Sequence, residues 1–154
     1  MDKWIFSLKL RNSAGVLSAL TALFADRGVS IESLTAHAGS GPAQGTAILT
    51  FAASDAKKGH MARLLGRLAS VQELTEYRYD DASHARKSAL ARVTLSADAL
   101  TTRLPPGILC DVVSAAEGDT LALLLGPPLA LDALLAELAD QNVIEEMDST
   151  VIVV

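Results

Sequence analysis

Few side chains in this sequence have the type and spacing that catalysis or metal binding requires. The histidines, His37, His60 and His84, are far apart and have no cysteine partners, which disfavours a metal site. The acidic pairs Asp80–Asp81 and Glu145–Glu146 are adjacent in segments expected to be extended. Adjacent side chains of an extended segment point to opposite faces, so neither pair makes a general acid and base.

Nucleophiles and phosphate-binding loops are also missing from the sequence pattern. Cys110 is the only cysteine, so there is no disulfide framework, and we interpret it as a small buried apolar side chain. The serines lie in no Gly-x-Ser-x-Gly motif. The glycine-rich segment 39–45 follows one predicted strand and precedes another, whereas a phosphate loop leads into a helix. We therefore expect no catalytic residue, no metal ligand and no cofactor, and a protein that is not itself an enzyme.

Composition and charge narrow the class of protein further. The chain has 154 residues, of which 50% are hydrophobic and 20% charged, a balance typical of soluble globular proteins. Its net charge of −5 disfavours nucleic acid as a partner, because phosphate binding needs clustered Lys and Arg. No window is apolar enough for a membrane span, and the N-terminal apolar run is too short for a signal peptide. We expect a cytoplasmic protein.

The loop at residues 11–15, RNSAG, has the features of a ligand-binding loop. It precedes a predicted helix, whose unpaired N–H groups and dipole favour a negative charge. Gly15 lets a ligand approach the backbone closely, and Asn12 offers both a donor and an acceptor. A free amino acid, with a carboxylate beside an ammonium group, would suit this place. The alternative, which the pattern alone favours, is that Asn12 and Ser13 simply cap the helix, with Ser13 as N-cap.

Hydrophobic periodicity predicts which elements position this loop. Every second residue of the first strand, from Trp4 to Leu10, is apolar and faces the same side. An apolar stripe at helical spacing follows the loop, and Gly28 fits the left-handed residue that often ends a helix. Asp55 is expected to cap a second helix. The order of the first part is βαββαβ, with strands predicted at 3–11, 29–37, 46–53 and 71–79, one helix after Ser13 and another after Asp55.

The same order of elements recurs, more loosely, in the second part of the chain. The polar segment 81–88 is interpreted as a linker between an N-terminal domain, residues 1–80, and a C-terminal domain, residues 89–154. The second domain has a short helix at 97–104 and a longer one at 132–141. The fold class is therefore α+β, with two tandem ferredoxin-like βαββαβ units, each an antiparallel sheet with its helices on one face. Such small units leave sheet faces and edges open, which predicts a two-fold homodimer.

The first 35 residues resemble the ACT domain, and more narrowly the regulatory small subunit of acetolactate synthase, also called acetohydroxyacid synthase. That family has a loop of the type Asn-x-Pro-Gly-Val-Leu, a helix ending in Leu-Phe, then Arg-Gly and Asn-Ile-Glu-Ser-Leu. The corresponding segments here are NSAGVL at 12–17, LF at 23–24, RG at 27–28 and SIESL at 30–34. The likeness extends more weakly over nearly the whole chain, whose C-terminal half fits an ACT-like order of elements.

The resemblance implies a regulatory role and a location for the effector. Such subunits bind a thiamine-diphosphate-dependent catalytic subunit, raise its activity and confer feedback inhibition by valine, leucine or isoleucine. Two N-terminal domains pair, and the effector lies at their interface, between the loop of one chain and the second strand of the other. Carried over by position, the expected effector-binding residues are Asn12, Ser13, Ala14, Gly15, Val16 and Leu17 from one chain, with Ser30 and Ile31 from the other.

The sequence departs from the family pattern at two of these positions. Ala14 stands where the family usually has proline, so the loop lacks a fixed φ. Ser30 stands where an asparagine is expected, and a hydroxyl replaces an amide. These departures leave open a divergent, stand-alone double-ACT protein that serves as an interaction module or as a sensor of another amino acid or small molecule. A small enzyme would need an acid–base pair that the sequence does not show.

Overall fold

The computed structural model describes residues 1–41 and 43–153. Pro42, which belongs to the predicted glycine-rich turn, and Val154, at the end of the predicted last strand, lie outside the described residues. In chain order the elements are β1 (Asp2–Arg11), α1 (Val16–Asp26), β2 (Ile31–Ala38), β3 (Gln44–Ala53), α2 (Asp55–Leu65), β4 (Val71–Arg78), β5 (Ala85–Val93), α3 (Ala97–Thr102), β6 (Leu109–Ala116), β7 (Asp119–Gly126), α4 (Pro128–Asp140) and β8 (Ile144–Val153).

The strands form two separate four-stranded sheets, one in each half of the chain. The strand orders are β2-β3-β1-β4 and β6-β7-β5-β8, and the two central strands of each sheet pair antiparallel. Two compact units contain these sheets, Met1–Tyr79 and Asp80–Ile152. The order βαββαβ occurs in both, which confirms the predicted fold class of two ferredoxin-like units. No helix in the described part of the chain combines the length and apolarity needed to cross a membrane.

Three aromatic rings form the centre of the first unit's core. Phe6 of β1, Phe24 of α1 and Phe51 of β3 are each almost fully buried. The Phe51 ring meets the Phe6 ring edge-on at a centroid distance of 4.7 Å and the Phe24 ring at 5.2 Å. These are the T-shaped geometries that aromatic pairs prefer. Phe51 therefore joins the two central strands to the helix that follows the candidate loop.

Two predicted helix starts need correction. The N-cap of α2 is Ser54, whose hydroxyl accepts a hydrogen bond from the Lys57 amide at 3.3 Å, and Asp55 lies in the first turn instead. Ser54 has the extended backbone that an N-cap needs, and serine and aspartate are similarly good caps. Helix α4 begins at Pro128 and not at Asp132, because proline is compatible with the first turn of a helix.

The predicted linker, residues 81–88, is shorter in the structure, because strand β5 already begins at Ala85. The inward-facing residues of β5 include Ala85, Ala89 and Ala91, all buried, and alanine gives a weak apolar stripe. The turn before β5 is held by the Asp81 carboxylate, which binds the His84 ring at 2.9 Å. This hydrogen bond from the His84 side chain lowers the pKa of Asp81 below its ordinary value.

Replacement of the central aromatic residue tests this description of the core. Phe51→Ala should lower the free energy of unfolding by about 3–5 kcal/mol, because it leaves a cavity between two rings. Leu129→Ala is the matched control, since Leu129 is 54% exposed and its loss should change stability by less than about 0.5 kcal/mol. Urea denaturation measures both. Equal, small effects would show that the three rings do not form the core.

Candidate functional site

Helix α1 has no side-chain cap at its N-terminus. Gly15 is the N-cap residue, in the left-handed conformation with φ of 83°, and no side chain accepts a hydrogen bond from the first turn. The Val16 amide donates to the Ser13 carbonyl at 3.3 Å, and the Ala19 amide donates to the Gly15 carbonyl at 3.0 Å. The prediction that Asn12 and Ser13 cap the helix is therefore wrong. The left-handed turn at Gly15 places the start of the helix beyond their reach.

Two backbone amides at this helix end remain without partners. The N–H groups of Leu17 and Ser18 have no acceptor among residues 1–41 and 43–153. The first turn also lacks an acidic side chain. By contrast, the first turn of α2 has both a serine cap and an acidic residue, Asp55. The N-terminus of α1 thus has unpaired donors and an uncompensated dipole, which together favour an anion.

The loop in front of the helix is fixed at its start and open at its end. The Arg11 amide donates to the Ser70 carbonyl and the Asn12 amide to the Ala43 carbonyl, both at 2.8 Å. Apart from Gly15 and its two chain neighbours, no described residue has a heavy atom within 4 Å of the position that a Cβ on Gly15 would occupy. The backbone hydrogen bonds therefore hold Asn12 in place, while the space in front of Gly15 is free for a small molecule.

A small pocket of about 170 Å³ lies at the start of α1, and Leu17, which has one of the two amides, is among its lining residues. Its walls are mainly aliphatic, and the side chain of Asn12 makes no hydrogen bond to any residue that the structure describes. An apolar cavity at a helix N-terminus, lined by a carboxamide, suits a small molecule with an aliphatic group and a carboxylate. The pocket is lined by Leu10, Asn12, Val16, Leu17, Ala36, His37, Ala38, Gly45 and Thr46.

Besides Leu10 of β1, five of these lining residues were missed by the sequence analysis. They belong to β2 and β3, and they lie beside the loop because β2 pairs with β3 in the register Ala36↔Ala47 and Ala38↔Gly45. The available signal was the alternation along β2, which puts Ala36 and Ala38 on the same face as Leu34, a residue that packs on the core. Ala36 and Ala38 continue the core-facing side of β2 beyond Leu34. Because their side chains are small, they leave room for the pocket beside the loop.

The remaining predicted residues lie in two other pockets. Ser13, Ala14 and Gly15 line one of about 340 Å³ on the other side of the loop, together with the segment 68–70. Ser30 and Ile31 line one of about 410 Å³ at the C-terminal end of α1. Since α1 has 11 residues and rises about 1.5 Å per residue, the two ends are about 16 Å apart. A single chain does not bring Ser30 and Ile31 to the loop.

The second unit does not repeat this open helix end. Its corresponding helix, α3, has six residues and begins with a serine cap, where the Ser96 hydroxyl accepts a hydrogen bond from the Ala99 amide at 3.2 Å. Asp98 supplies a negative charge in the first turn. The chain's own side chains therefore occupy the position that is empty in α1, which distinguishes the two units.

The other groups considered for chemistry do not assemble into a site. In the described part of the chain, no three His, Cys, Asp or Glu side chains are close enough to hold a metal ion. Cys110 is partly buried and packs against the core of the second unit. Burial, with a smaller contribution from the charge of Asp111, raises the pKa of the Cys110 thiol, which disfavours the reactive thiolate.

Comparison with known proteins identifies the type of the first unit. Residues 6–73 match the model of the AHAS small subunit-like ACT domain, where AHAS denotes acetohydroxyacid synthase. The N-terminal unit is therefore an ACT domain of this type, which confirms the resemblance seen in the sequence. A comparison with curated protein sequences found no match.

Two of the solved structures that are similar to the chain illustrate the likeness. The acetolactate synthase small subunit from Thermotoga maritima superposes with a TM-score of 0.78 at 19% identity, and the alignment covers 100% of this chain and 97% of that one. The regulatory subunit of aspartate kinase from Thermus thermophilus, in its ligand-free form, gives a TM-score of 0.47 at 16% identity, with 88% and 90% coverage. The first match shows that the whole chain shares its fold with that small subunit.

The left-handed residue at the start of α1 can be tested against an equivalent glycine elsewhere. Gly15→Ala and Gly118→Ala should each lower the free energy of unfolding by about 1–2 kcal/mol, because both glycines have positive φ and open space around them. Thermal and urea denaturation of the two variants measure this. A neutral Gly15→Ala beside a destabilising Gly118→Ala would show that the loop adopts another conformation.

Proposed function

We propose that the chain is a non-catalytic regulatory protein that senses a small branched-chain amino acid, valine, leucine or isoleucine, with its N-terminal ACT domain. The observation that carries this proposal is the open N-terminus of α1, where the amides of Leu17 and Ser18 have no acceptor among the described residues and Leu17 also lines a small aliphatic pocket. The effector carboxylate would bind at these amides, where the helix dipole stabilises it. The aliphatic side chain would enter the pocket lined by Leu10, Val16 and Ala36.

The size of the pocket and the free side chain of Asn12 support an effector of this class. A pocket of about 170 Å³ is smaller than the 300–1,000 Å³ of typical drug-sized ligand sites, so it suits a small molecule. The carboxamide of Asn12 offers an acceptor for the effector's ammonium group and a donor for its carboxylate. The pocket is thus lined both by apolar side chains, such as those of Leu10 and Val16, and by the hydrogen-bonding side chain of Asn12.

The proposed site is completed by a second copy of the chain. Ser30 and Ile31 lie at the far end of α1, so only a two-fold related copy can place them beside the loop. Strand β2, which begins at Ile31, is the edge strand of its sheet and is available for such a contact. Ser30 is exposed and would contribute a hydroxyl. We propose a homodimer with two effector sites.

The enzyme that the proposed effector regulates is a thiamine-diphosphate-dependent catalytic subunit of the acetolactate synthase type, in the cytoplasm. Support comes from the type of the N-terminal ACT domain and from the fold of the whole chain, which is shared with an acetolactate synthase small subunit. A regulatory subunit needs no catalytic group of its own.

A thermal-shift experiment tests the proposed effector. Saturating valine, leucine or isoleucine should raise the melting temperature by several degrees, since a ligand at 100 times its Kd stabilises the folded state by about 2.7 kcal/mol. Asn12→Ala should abolish the shift, whereas Asn142→Ala, an exposed asparagine in the second unit, should retain it.

The controls separate the parts of the proposal. A folded wild-type dimer that shows no shift with any amino acid would contradict amino-acid sensing and favour an interaction module. A shift that persists in Asn12→Ala would place the effector elsewhere. Co-purification with an acetolactate synthase catalytic subunit tests the partner independently of the effector.

Mixing two binding-defective variants tests whether the site is shared between copies. Asn12→Ala and Ser30→Trp should each abolish effector binding alone. After unfolding and refolding together, mixed dimers should recover about one quarter of the wild-type sites, because half of the dimers then contain one intact site. Isothermal titration measures the stoichiometry. No recovery in the mixture would show that both residues act within one chain.

A further inference from the structure

Ala43, at the end of the turn between β2 and β3, has a backbone conformation that is unusual for alanine. Among the residues that the structure describes, Ala43 and Asn142 are the non-glycine residues with a positive φ, of 58° and 54°. Asparagine tolerates this left-handed region, and Asn142 lies just after the end of α4, where such a residue commonly ends a helix. Neither reason applies to Ala43, so its surroundings must hold it in this conformation.

A hydrogen bond to the loop at residues 11–15 accompanies the left-handed backbone of Ala43. The Ala43 carbonyl accepts a hydrogen bond from the Asn12 amide at 2.8 Å. The register of β1 and β3 ends at Arg11↔Gln44, so this bond is the next contact beyond the paired strands. A rotation of Ala43 to an ordinary right-handed backbone would turn its carbonyl away from Asn12. The bond therefore depends on the unusual conformation.

Gly45, two residues further along β3, leaves room for the side chain of Asn12. A Cβ built on Gly45 would lie 3.5 Å from the Asn12 Cβ and 3.9 Å from its Cγ. The backbone of β3 thus lies directly against Asn12, because glycine has no side chain of its own. Asn12 is held by Ala43 through its main chain and packs on Gly45 through its side chain.

Hydrogen bonds within the turn hold Ala43 from the other side. The Gly39 amide donates to the Gln44 carbonyl at 2.8 Å, and the Gln44 amide donates to the Gly41 carbonyl at 3.3 Å. A Cβ on Gly39 or Gly41 would approach the Gln44 side chain to 3.1 Å or 2.9 Å, so the turn packs closely around Gln44. The position of Gln44 is therefore fixed, and the backbone of Ala43 is constrained between this turn and Asn12.

We propose that the turn between β2 and β3, through the backbone of Ala43, positions Asn12 and thereby sets the affinity of the effector site. This inference rests on the proposed function, in which the Asn12 carboxamide binds the effector. That carboxamide has no hydrogen bond within the described residues, so its place is set by its main chain and by its packing on Gly45. An effector that binds Asn12 should in turn stabilise the turn, because coupling between two sites is reciprocal.

Two valine variants with the same backbone conformation test the role of Ala43. Ala43→Val should raise the Kd of the effector at least about tenfold, because a β-branched residue disfavours the left-handed region and the altered turn releases Asn12. Asn142→Val introduces the same side chain at the other positive φ, in the second unit, and should keep the wild-type Kd. Ala43→Gly, which accepts a positive φ, should also keep it. Isothermal titration with valine, leucine and isoleucine measures each Kd, and circular dichroism verifies folding.

Amide hydrogen exchange provides a second arm, part of which needs no effector. In the effector-free chain, the Asn12 amide should exchange at least about tenfold faster in Ala43→Val than in the wild type, because its acceptor has moved. Asn142→Val should leave this rate unchanged. In the wild type, saturating effector should slow the exchange of the Gly39 and Gln44 amides.

The outcomes separate this inference from the proposed function. A wild-type chain that binds none of the three amino acids contradicts the proposed function, whereas faster exchange of the Asn12 amide in Ala43→Val would still support the positioning of Asn12. A folded Ala43→Val with the wild-type Kd, or with an unchanged Asn12 exchange rate, overturns the inference. If Ala43→Val does not fold, effector binding to the wild type that leaves the Gly39 and Gln44 exchange rates unchanged overturns it.

Discussion

The left-handed backbone at Gly15 is the constraint on which the candidate site depends. It starts α1 two residues later than the side-chain pattern suggests, and it removes Asn12 and Ser13 from capping distance. Among residues 1–41 and 43–153, the amides of Leu17 and Ser18 therefore have no acceptor and the Asn12 side chain has no hydrogen bond, and both Asn12 and Leu17 line a small aliphatic pocket. An unsatisfied helix end normally costs stability unless water or a ligand supplies the missing acceptors. The site follows from this incomplete helix start and needs no catalytic group.

The two units show how one order of elements can serve two purposes. In the first, the helix after the first strand has an open end, and the outward positions of the edge strand β2 are polar. In the second, Ser96 closes the corresponding helix end, and the outward face of the sheet is rich in leucine. The βαββαβ framework is common to both units, which differ in how the helix after the first strand begins and in the outward side chains of their sheets.

Local patterns predicted most of the fold, because they report on single elements. Alternation along β1, the apolar stripe of α1 and the left-handed residue Gly28 were all predictable and are confirmed by the structure. The start of β5 was missed because its buried residues are alanines. Capping by Ser13 was predicted wrongly, since serine is the better cap by type and only the backbone at Gly15 excludes it. The pocket walls from Ala36 to Thr46 depend on strand register, a long-range property that sequence periodicity does not contain.

The central claim is that the open end of α1 binds the carboxylate of a small amino acid, and backbone amide NMR tests it most directly. During titration with valine, leucine and isoleucine, the account predicts large saturable shifts of the Leu17 and Ser18 amide resonances, as expected for new hydrogen bonds to a carboxylate. The Ala99 amide, already paired with Ser96, should remain unchanged. Saturable binding that leaves the Leu17 and Ser18 resonances in place would contradict the account.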